Sequence, residues 1–307
     1  MGLYSESPDW ADIEPIPQDE GGPNPLAAIH YSEEYSEAMG YLRAVMARNE
    51  MSSRALALTE DIIDMNPAHY TIWLYRAEIL FAIKADLHQE LEWLNETALA
   101  HQKNYQIWNH RQTVVDRVGS PAGEAEFIAR MFEKDAKNYH VWSYRQWLVR
   151  RFDLWEKGEL EDVELLLKHD IRNNSAWNHR WFIVFGRDDS AVAGDVIQRE
   201  MDYAKDAIRL APQNQSPWNY LKGVTRRAGN PMSSLKDFAS EFASIERPNE
   251  VRSSYALDLL AEIYSQESDG KLDAAVALDL LAKHYDPIRA NYWNYRKALL
   301  EQPATAA

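Results

Sequence analysis

The sequence contains no cysteine. A disulfide framework, a thiol nucleophile and a Cys-ligated metal site are therefore excluded within it. Positive charge is scarce: 33 Lys and Arg stand against 48 Asp and Glu, a formal charge of −15. Phosphate-backbone recognition needs a basic surplus, so nucleic acid is not an expected partner. Long apolar runs are also missing. Apolar residues make up 46% of the 307, yet they never gather into a stretch of about 18, so no stable membrane insertion is expected. No Lys or Arg precedes Arg43, which argues against a secretory or transit peptide. Gly2 is followed by Glu6 where a myristoylation pattern wants Ser or Thr. A cytoplasmic protein is the plain reading.

Helix breakers are unevenly placed. Five of the 13 prolines lie in the first 25 residues, among Asp9, Asp12, Glu14, Asp19 and Glu20. A Pro-rich acidic segment buries too little apolar surface to offset its ordering entropy. Residues 1–30 are therefore expected to be a flexible arm, or one laid along a partner. Beyond it no glycine occurs between Gly40 and Gly119, and Pro121 is the single proline between Pro67 and Pro212. Ser120-Pro121 reads as an N-cap and first-turn pair opening a helix. Apolar residues step at helical spacing, as in Ala55, Leu58, Ile62 and in Ile197, Met201, Ala204, Ile208. No stretch alternates with period two, so the fold is expected to be all-α.

Tryptophan marks a repeat. Trp73, Trp108, Trp142 and Trp177 are 35, 34 and 35 residues apart, Trp218 follows after 41, and Trp293 comes 75 later. Tyr255 stands near the middle of that last gap, in a degenerate copy. Such periods mean stacked helical hairpins, each needing its neighbours to bury its apolar face. About seven hairpins are expected over residues 31–303, with 304–307 as a tail.

The copies share more than tryptophan. They read His69-Tyr-Thr-Ile-Trp73-Leu-Tyr-Arg76, Asn104-Tyr-Gln-Ile-Trp108-Asn-His-Arg111, Asn138-Tyr-His-Val-Trp142-Ser-Tyr-Arg145, Asn173-Asn-Ser-Ala-Trp177-Asn-His-Arg180 and Asn214-Gln-Ser-Pro-Trp218-Asn-Tyr-Leu221, with Trp293-Asn-Tyr-Arg296 closing the series. Asn four residues before Trp suits an N-cap. Trp supplies buried area, and Arg three residues later lies on the same helix face, able to reach an acceptor on the next hairpin. A tetratricopeptide array has a similar period but follows its Trp with Leu-Gly, not with Arg. His69 and Leu221 depart from the pattern and should weaken a local cap and a local pair.

These copies resemble the repeats of protein prenyltransferase α subunits. Lys103 to Arg111 and Lys137 to Trp147 resemble the second and third repeats of the subunit shared by farnesyltransferase and type I geranylgeranyltransferase. Asp9 to Pro17 and Tyr31 to Tyr35 resemble that family's N-terminal segment, so the likeness covers essentially the whole chain. It implies a crescent-shaped, right-handed superhelix wrapping a β subunit in a heterodimer. It implies transfer of farnesyl or geranylgeranyl from the lipid diphosphate to a Cys near the C-terminus of CaaX-ending proteins such as small GTPases. Zinc would be held by the β subunit and none by this chain, with magnesium serving the farnesyl reaction.

Positions that vary between copies are the candidates for function. Three residues before Trp the series runs Tyr70, Tyr105, Tyr139, Asn174, Gln215. Aromatics at one end suit either an interface or a substrate mouth; the resemblance places them against lipid and acceptor peptide. Lys103, one residue before the Asn104 cap, reads from sequence as a solvated lysine or as an anion site at a helix N-terminus. By resemblance it stabilises the departing diphosphate. Lys137 occupies the same slot without such a role. Gln106 can donate to a carboxylate and by resemblance reads the acceptor's C-terminus, with Tyr70 near the last side chain. His140 would face the lipid diphosphate or the incoming peptide. His110 and His179 read as packing or capping residues.

Two other readings remain at this point. One is a helical scaffold without chemistry. The other is the α subunit of a Rab-type geranylgeranyltransferase.

Overall fold

Every long segment between the turn residues winds into helix, as the 3.6-residue spacing of its apolar positions requires. The computed structural model describes residues 4–19, 21–22, 25–27, 29–187 and 193–301. Among these it has fifteen α-helices and no strand. The expected tail at 304–307 lies outside the described residues. The chain divides into two units, Met1–Leu154 and Trp155–Ala307.

The first unit carries α1 (Glu33–Ala47), α2 (Ser53–Met65), α3 (Tyr70–Ala82), α4 (Leu87–Ala100), α5 (Tyr105–Val118), α6 (Glu124–Lys134) and α7 (Tyr139–Phe152). α2–α3, α4–α5 and α6–α7 are hairpins, and α3, α5 and α7 pack side by side in that order. The second unit carries α8 (Glu159–His169), α9 (Asn174–Phe185), α10 (Gly194–Leu210), α11 (Gln215–Arg227), α12 (Lys236–Ser240), α13 (Ser254–Gln266), α14 (Lys271–Leu280) and α15 (Ala290–Leu300). There α8–α9, α10–α11 and α13–α14 pair, and α11 packs on α9 and α13.

The repeat residues are architecture. Trp73, Trp108, Trp142, Trp177, Trp218 and Trp293 are all buried. In the five regular copies the indole Nε1 donates to the carbonyl six residues back, on Pro67, Gln102, Ala136, Ile171 and Pro212, at 2.9–3.1 Å. Asn104, Asn138, Asn173 and Asn214 are N-caps, each accepting an N–H of the first turn. His69 makes no side-chain cap, as its departure from Asn suggested.

Arg76, Arg111 and Arg180 settle on carboxylates of the following hairpin, whereas Arg296 reaches back to Asp258 on α13. Arg76 forks onto Glu90 at 2.8 and 2.7 Å, and Arg111 onto Glu124 at 2.8 Å twice. In the second unit Arg180 forks onto Glu200 at 2.6 and 3.0 Å. The same carboxylates accept from the residue two after the next Trp: His110 meets Glu90, Tyr144 meets Glu124 and Tyr220 meets Glu200. His179 likewise meets Glu159 at 2.8 Å. His110 thus holds the buried Glu90 and His179 the half-buried Glu159, the packing role expected of them. Burial pushes Glu90 up, but bonds from His110 and Arg76 outweigh it and leave its carboxyl below the ordinary range.

Two expectations are corrected. Ser120-Pro121 does not open a helix: Ser120 Oγ takes the Ala122 N–H in a turn, and α6 starts at Glu124 behind Gly123. Gly123 sits at φ 86°, which a side chain rarely tolerates. Residues 4–16, expected within a flexible arm, instead pack on α1 and α2. Trp10 and Ile13 are buried, and Trp10 meets the Tyr41 ring edge-on at 5.4 Å. Arg54 forks onto Asp12 at 2.7 and 2.9 Å, holding that carboxyl at about 2. Ile16 N–H donates to Gly40 O at 3.0 Å, and a Cβ on Gly40 would lie 3.2 Å from Pro15. Two apolar anchors and a bidentate ion pair outweigh the composition of the segment.

Candidate functional site

The first unit presents its variable positions at the N-terminal ends of α3, α5 and α7. The Asn cap fixes the first turn of α5: Asn104 Oδ1 accepts the Gln106 N–H at 2.8 Å. In α7 Asn138 Oδ1 accepts the His140 N–H at 2.9 Å, while Asn138 Nδ2 donates to Gln102 O at 3.2 Å. Gln102 O therefore receives both Trp108 and Asn138, tying the two helix starts together. Residues one or three places from each Trp–Asn frame are positioned by these bonds.

An open cavity of about 670 Å³ lies at the start of α5, lined by Ala68, Ala100, His101, Gln102, Lys103, Asn104, Tyr105 and Gln106. Three of the six expected site residues, Lys103, Tyr105 and Gln106, share it. His140 joins from α7, its ring edge-on to Tyr105 at 4.3 Å, with Tyr139 edge-on to His140 at 5.6 Å. Tyr70 starts α3, two residues past Ala68, and is not among the lining residues.

Exposure is high where a core residue would have none. Tyr70, Tyr105 and Tyr139 are 63%, 68% and 67% exposed, while the Trp three residues after each is at most 5% exposed. Large aromatics left out of the core in register are a surface suited to being covered. The Lys103 side chain is 79% exposed, with Asp135 Oδ2 4.0 Å from its Nζ. Partial burial pushes His140 below the ordinary imidazole range, so it is neutral at pH 7. The site thus offers one mobile cation, a half-buried carboxamide, an imidazole and two aromatic faces. That set can bind an anion next to an apolar or planar group.

Among the described residues no group of three or more His, Asp or Glu can hold a metal ion. None of the described helices is long and apolar enough to cross a membrane.

Sequence reasoning missed Asp135, His101 and Gln102 at this site. Asp135 had a signal. It stands seven residues before Trp142, the slot of Asn66 before Trp73 and of Asp170 before Trp177. In all three a side-chain oxygen accepts the N–H two residues on.

The sequence matches the protein prenyltransferase alpha subunit repeat over residues 52–83, 87–118, 121–152, 157–186 and 197–228. These segments end with the α3, α5, α7, α9 and α11 helices that carry the repeat Trp, followed three residues later by Arg in all but α11. The chain belongs to the protein prenyltransferase alpha subunit family. It is 40% identical over 301 residues to the protein farnesyltransferase/geranylgeranyltransferase type-1 subunit alpha of Candida albicans, covering 95% of this chain and 97% of that one. A solved structure, Candida albicans protein geranylgeranyltransferase-I complexed with GGPP, matches with TM-score 0.88 at 39% identity, over 96% of this chain and 99% of that one. The geranylgeranyl transferase type-2 subunit alpha of Bos taurus is more distant: 28% identical over 69% of this chain and 41% of that one. Within the prenyltransferase alpha family the chain therefore groups with the farnesyltransferase/type-1 subunits rather than the type-2 branch.

Proposed function

We propose that this chain is the α subunit of a heterodimeric CaaX protein prenyltransferase. The enzyme joins farnesyl or geranylgeranyl to a Cys near the C-terminus of acceptor proteins such as small GTPases, and works in the cytoplasm. The observation that carries the reading is the clustering of Lys103, Tyr105, Gln106 and His140 at the start of α5 and α7 within a prenyltransferase alpha repeat array.

The acceptor sulfur forms a bond to the lipid's first carbon as the bond to the diphosphate oxygen breaks. Negative charge grows on the leaving diphosphate. Lys103 is a cation on a flexible stem, and its role is to meet that charge. Neutral His140 donates one hydrogen bond and, with Tyr105 and Tyr139, walls the entry. Gln106 donates its amide to the acceptor's terminal carboxylate, and Tyr70 flanks the last side chain. The β subunit is the proposed holder of zinc, which would lower the pKa of the acceptor thiol there. Magnesium is proposed to serve the farnesyl reaction. The exposed tyrosine row is the surface on which the β subunit closes.

The test is co-expression with a CaaX-type β subunit, followed by labelled lipid transfer to a short CaaX peptide. Transfer that requires both chains is expected. A stable pair that transfers no lipid, or no pair at all, would overturn the proposal.

A further inference from the structure

Asp135 closes the C-terminal end of α6 with the same turn that Asn66 and Asp170 form at theirs. Its N–H donates to Met131 O at 3.1 Å, its carbonyl accepts Asn138 N–H at 3.1 Å, and its Oδ1 accepts Lys137 N–H at 3.0 Å. With Oδ1 taken by the Lys137 N–H, Oδ2 lies 4.0 Å from Lys103 Nζ. An anion anchored through one of its oxygens therefore stands beside a long, 79% exposed cation at the edge of the cavity.

We propose that Asp135 is a resident counter-ion that weakens the grip of Lys103 on the diphosphate and so eases its release. The inference rests on the reading of Lys103 given above. An anion fixed a few ångströms from the ammonium repels any second anion bound there, so the sign of the effect follows from Coulomb's law. Lys103 is exposed, Asp135 is half-buried and the pair is too long for a hydrogen bond, so it yields to a diphosphate, which brings several charges, and re-forms as the diphosphate departs. Surface pairs of this kind shift an equilibrium by at most about five-fold. The same chain shows that asparagine supports the same turn: Asn66, at the C-terminal end of α2, accepts the Ala68 N–H through its own Oδ1 at 3.3 Å. Asp135→Asn therefore removes the charge and keeps the turn.

The probe is inorganic diphosphate, titrated into the purified heterodimer and read as competition with the lipid diphosphate. Four forms are compared: wild type, Asp135→Asn, Lys103→Ala and the double variant. Asp135→Asn is expected to bind diphosphate about two- to five-fold more tightly, and that gain is expected to vanish when Lys103 is alanine. Unchanged or weaker binding in Asp135→Asn would overturn the proposal. So would a gain of equal size in both lysine backgrounds, since the carboxylate would then act without Lys103. The reading of Lys103 is tested separately by the Lys103→Ala arm, where diphosphate affinity must fall.

Discussion

The glutamates shared between hairpins make the sharpest energetic claim, and Glu124→Gln tests it. Glu124 and Arg111 are each 2% exposed, with two bonds of 2.8 Å between them. Arg111 also donates to Asn95 at 2.9 Å and stacks on Phe127, with its guanidinium carbon 3.5 Å from the ring centre. Tyr144 OH closes the carboxylate at 2.6 Å. Glutamine preserves the shape but turns an N–H₂ toward a donor and leaves the guanidinium without its countercharge. A buried pair broken on one side loses about 3–5 kcal/mol. For a unit of roughly 150–250 residues that lowers Tm by about 6–20 °C. The assay is urea denaturation of the heterodimer at fixed protomer concentration, followed by tryptophan fluorescence, because Trp108 packs on both Phe127 and Tyr144. Arg111→Met combined with Glu124→Gln removes the stranded charge, so the double variant is expected within about 2 kcal/mol of wild type. A single-variant loss under about 1 kcal/mol, or a double variant as unstable as the sum of two singles, would refute the reasoning.

Three further outcomes are expected. Trp142→Ala, which empties a site 5% exposed and abandons the 2.9 Å bond to Ala136 O, lowers stability by about 3–5 kcal/mol in the same denaturation assay. Acid destabilises the fold through Glu90 and Glu200, whose carboxyls, though burial pushes them up, are held low by their partners. Their contribution is present above the ordinary carboxylate pKa of about 4.3 and is lost as pH falls through the lower folded value. Stability measured from pH 6 to 2 should therefore drop most steeply below about 4, and Glu90→Gln should flatten that slope. Gln106→Ala raises the KM for a CaaX peptide while leaving the KM for lipid diphosphate unchanged; steady-state kinetics with each substrate varied in turn reads the difference, and an unchanged peptide KM removes Gln106 from the acceptor site.

Most of the helical frame was legible because it is local. Trp recurs every 34–41 residues through Trp218, and Asn stands four residues ahead in four copies; capping and periodicity act within one turn or one hairpin. The partners of the arginines were harder to see, since they lie on the next hairpin. Yet a trace existed: Glu90, Glu124, Glu159 and Glu200 each stand 18 residues before Trp108, Trp142, Trp177 and Trp218. Ala55 holds that place before Trp73, in the first matched repeat. The N-terminal segment misled because composition averages over residues. Its prolines and carboxylates argue for disorder, but Trp10, Ile13 and Asp12 carry the docking. At the candidate site Lys103, Tyr105 and Gln106 could be picked out because they break the repeat pattern or adjoin its cap. Asp135 carried a signal only for its turn, seven residues before Trp142; its contact with Lys103 spans 32 positions of sequence and left no local trace.

On the proposed reading this chain contributes a cation to the chemistry and is more than a support for its partner. Single-turnover transfer from lipid diphosphate to a CaaX peptide tests it most directly, comparing the wild-type heterodimer with Lys103→Ala at saturating peptide and lipid. The rate constant is expected to fall by about 100-fold, the lower end of what one oxyanion-type donor contributes, with peptide affinity little changed. An unaltered rate constant in a fully assembled variant would contradict it and leave the chain a scaffold.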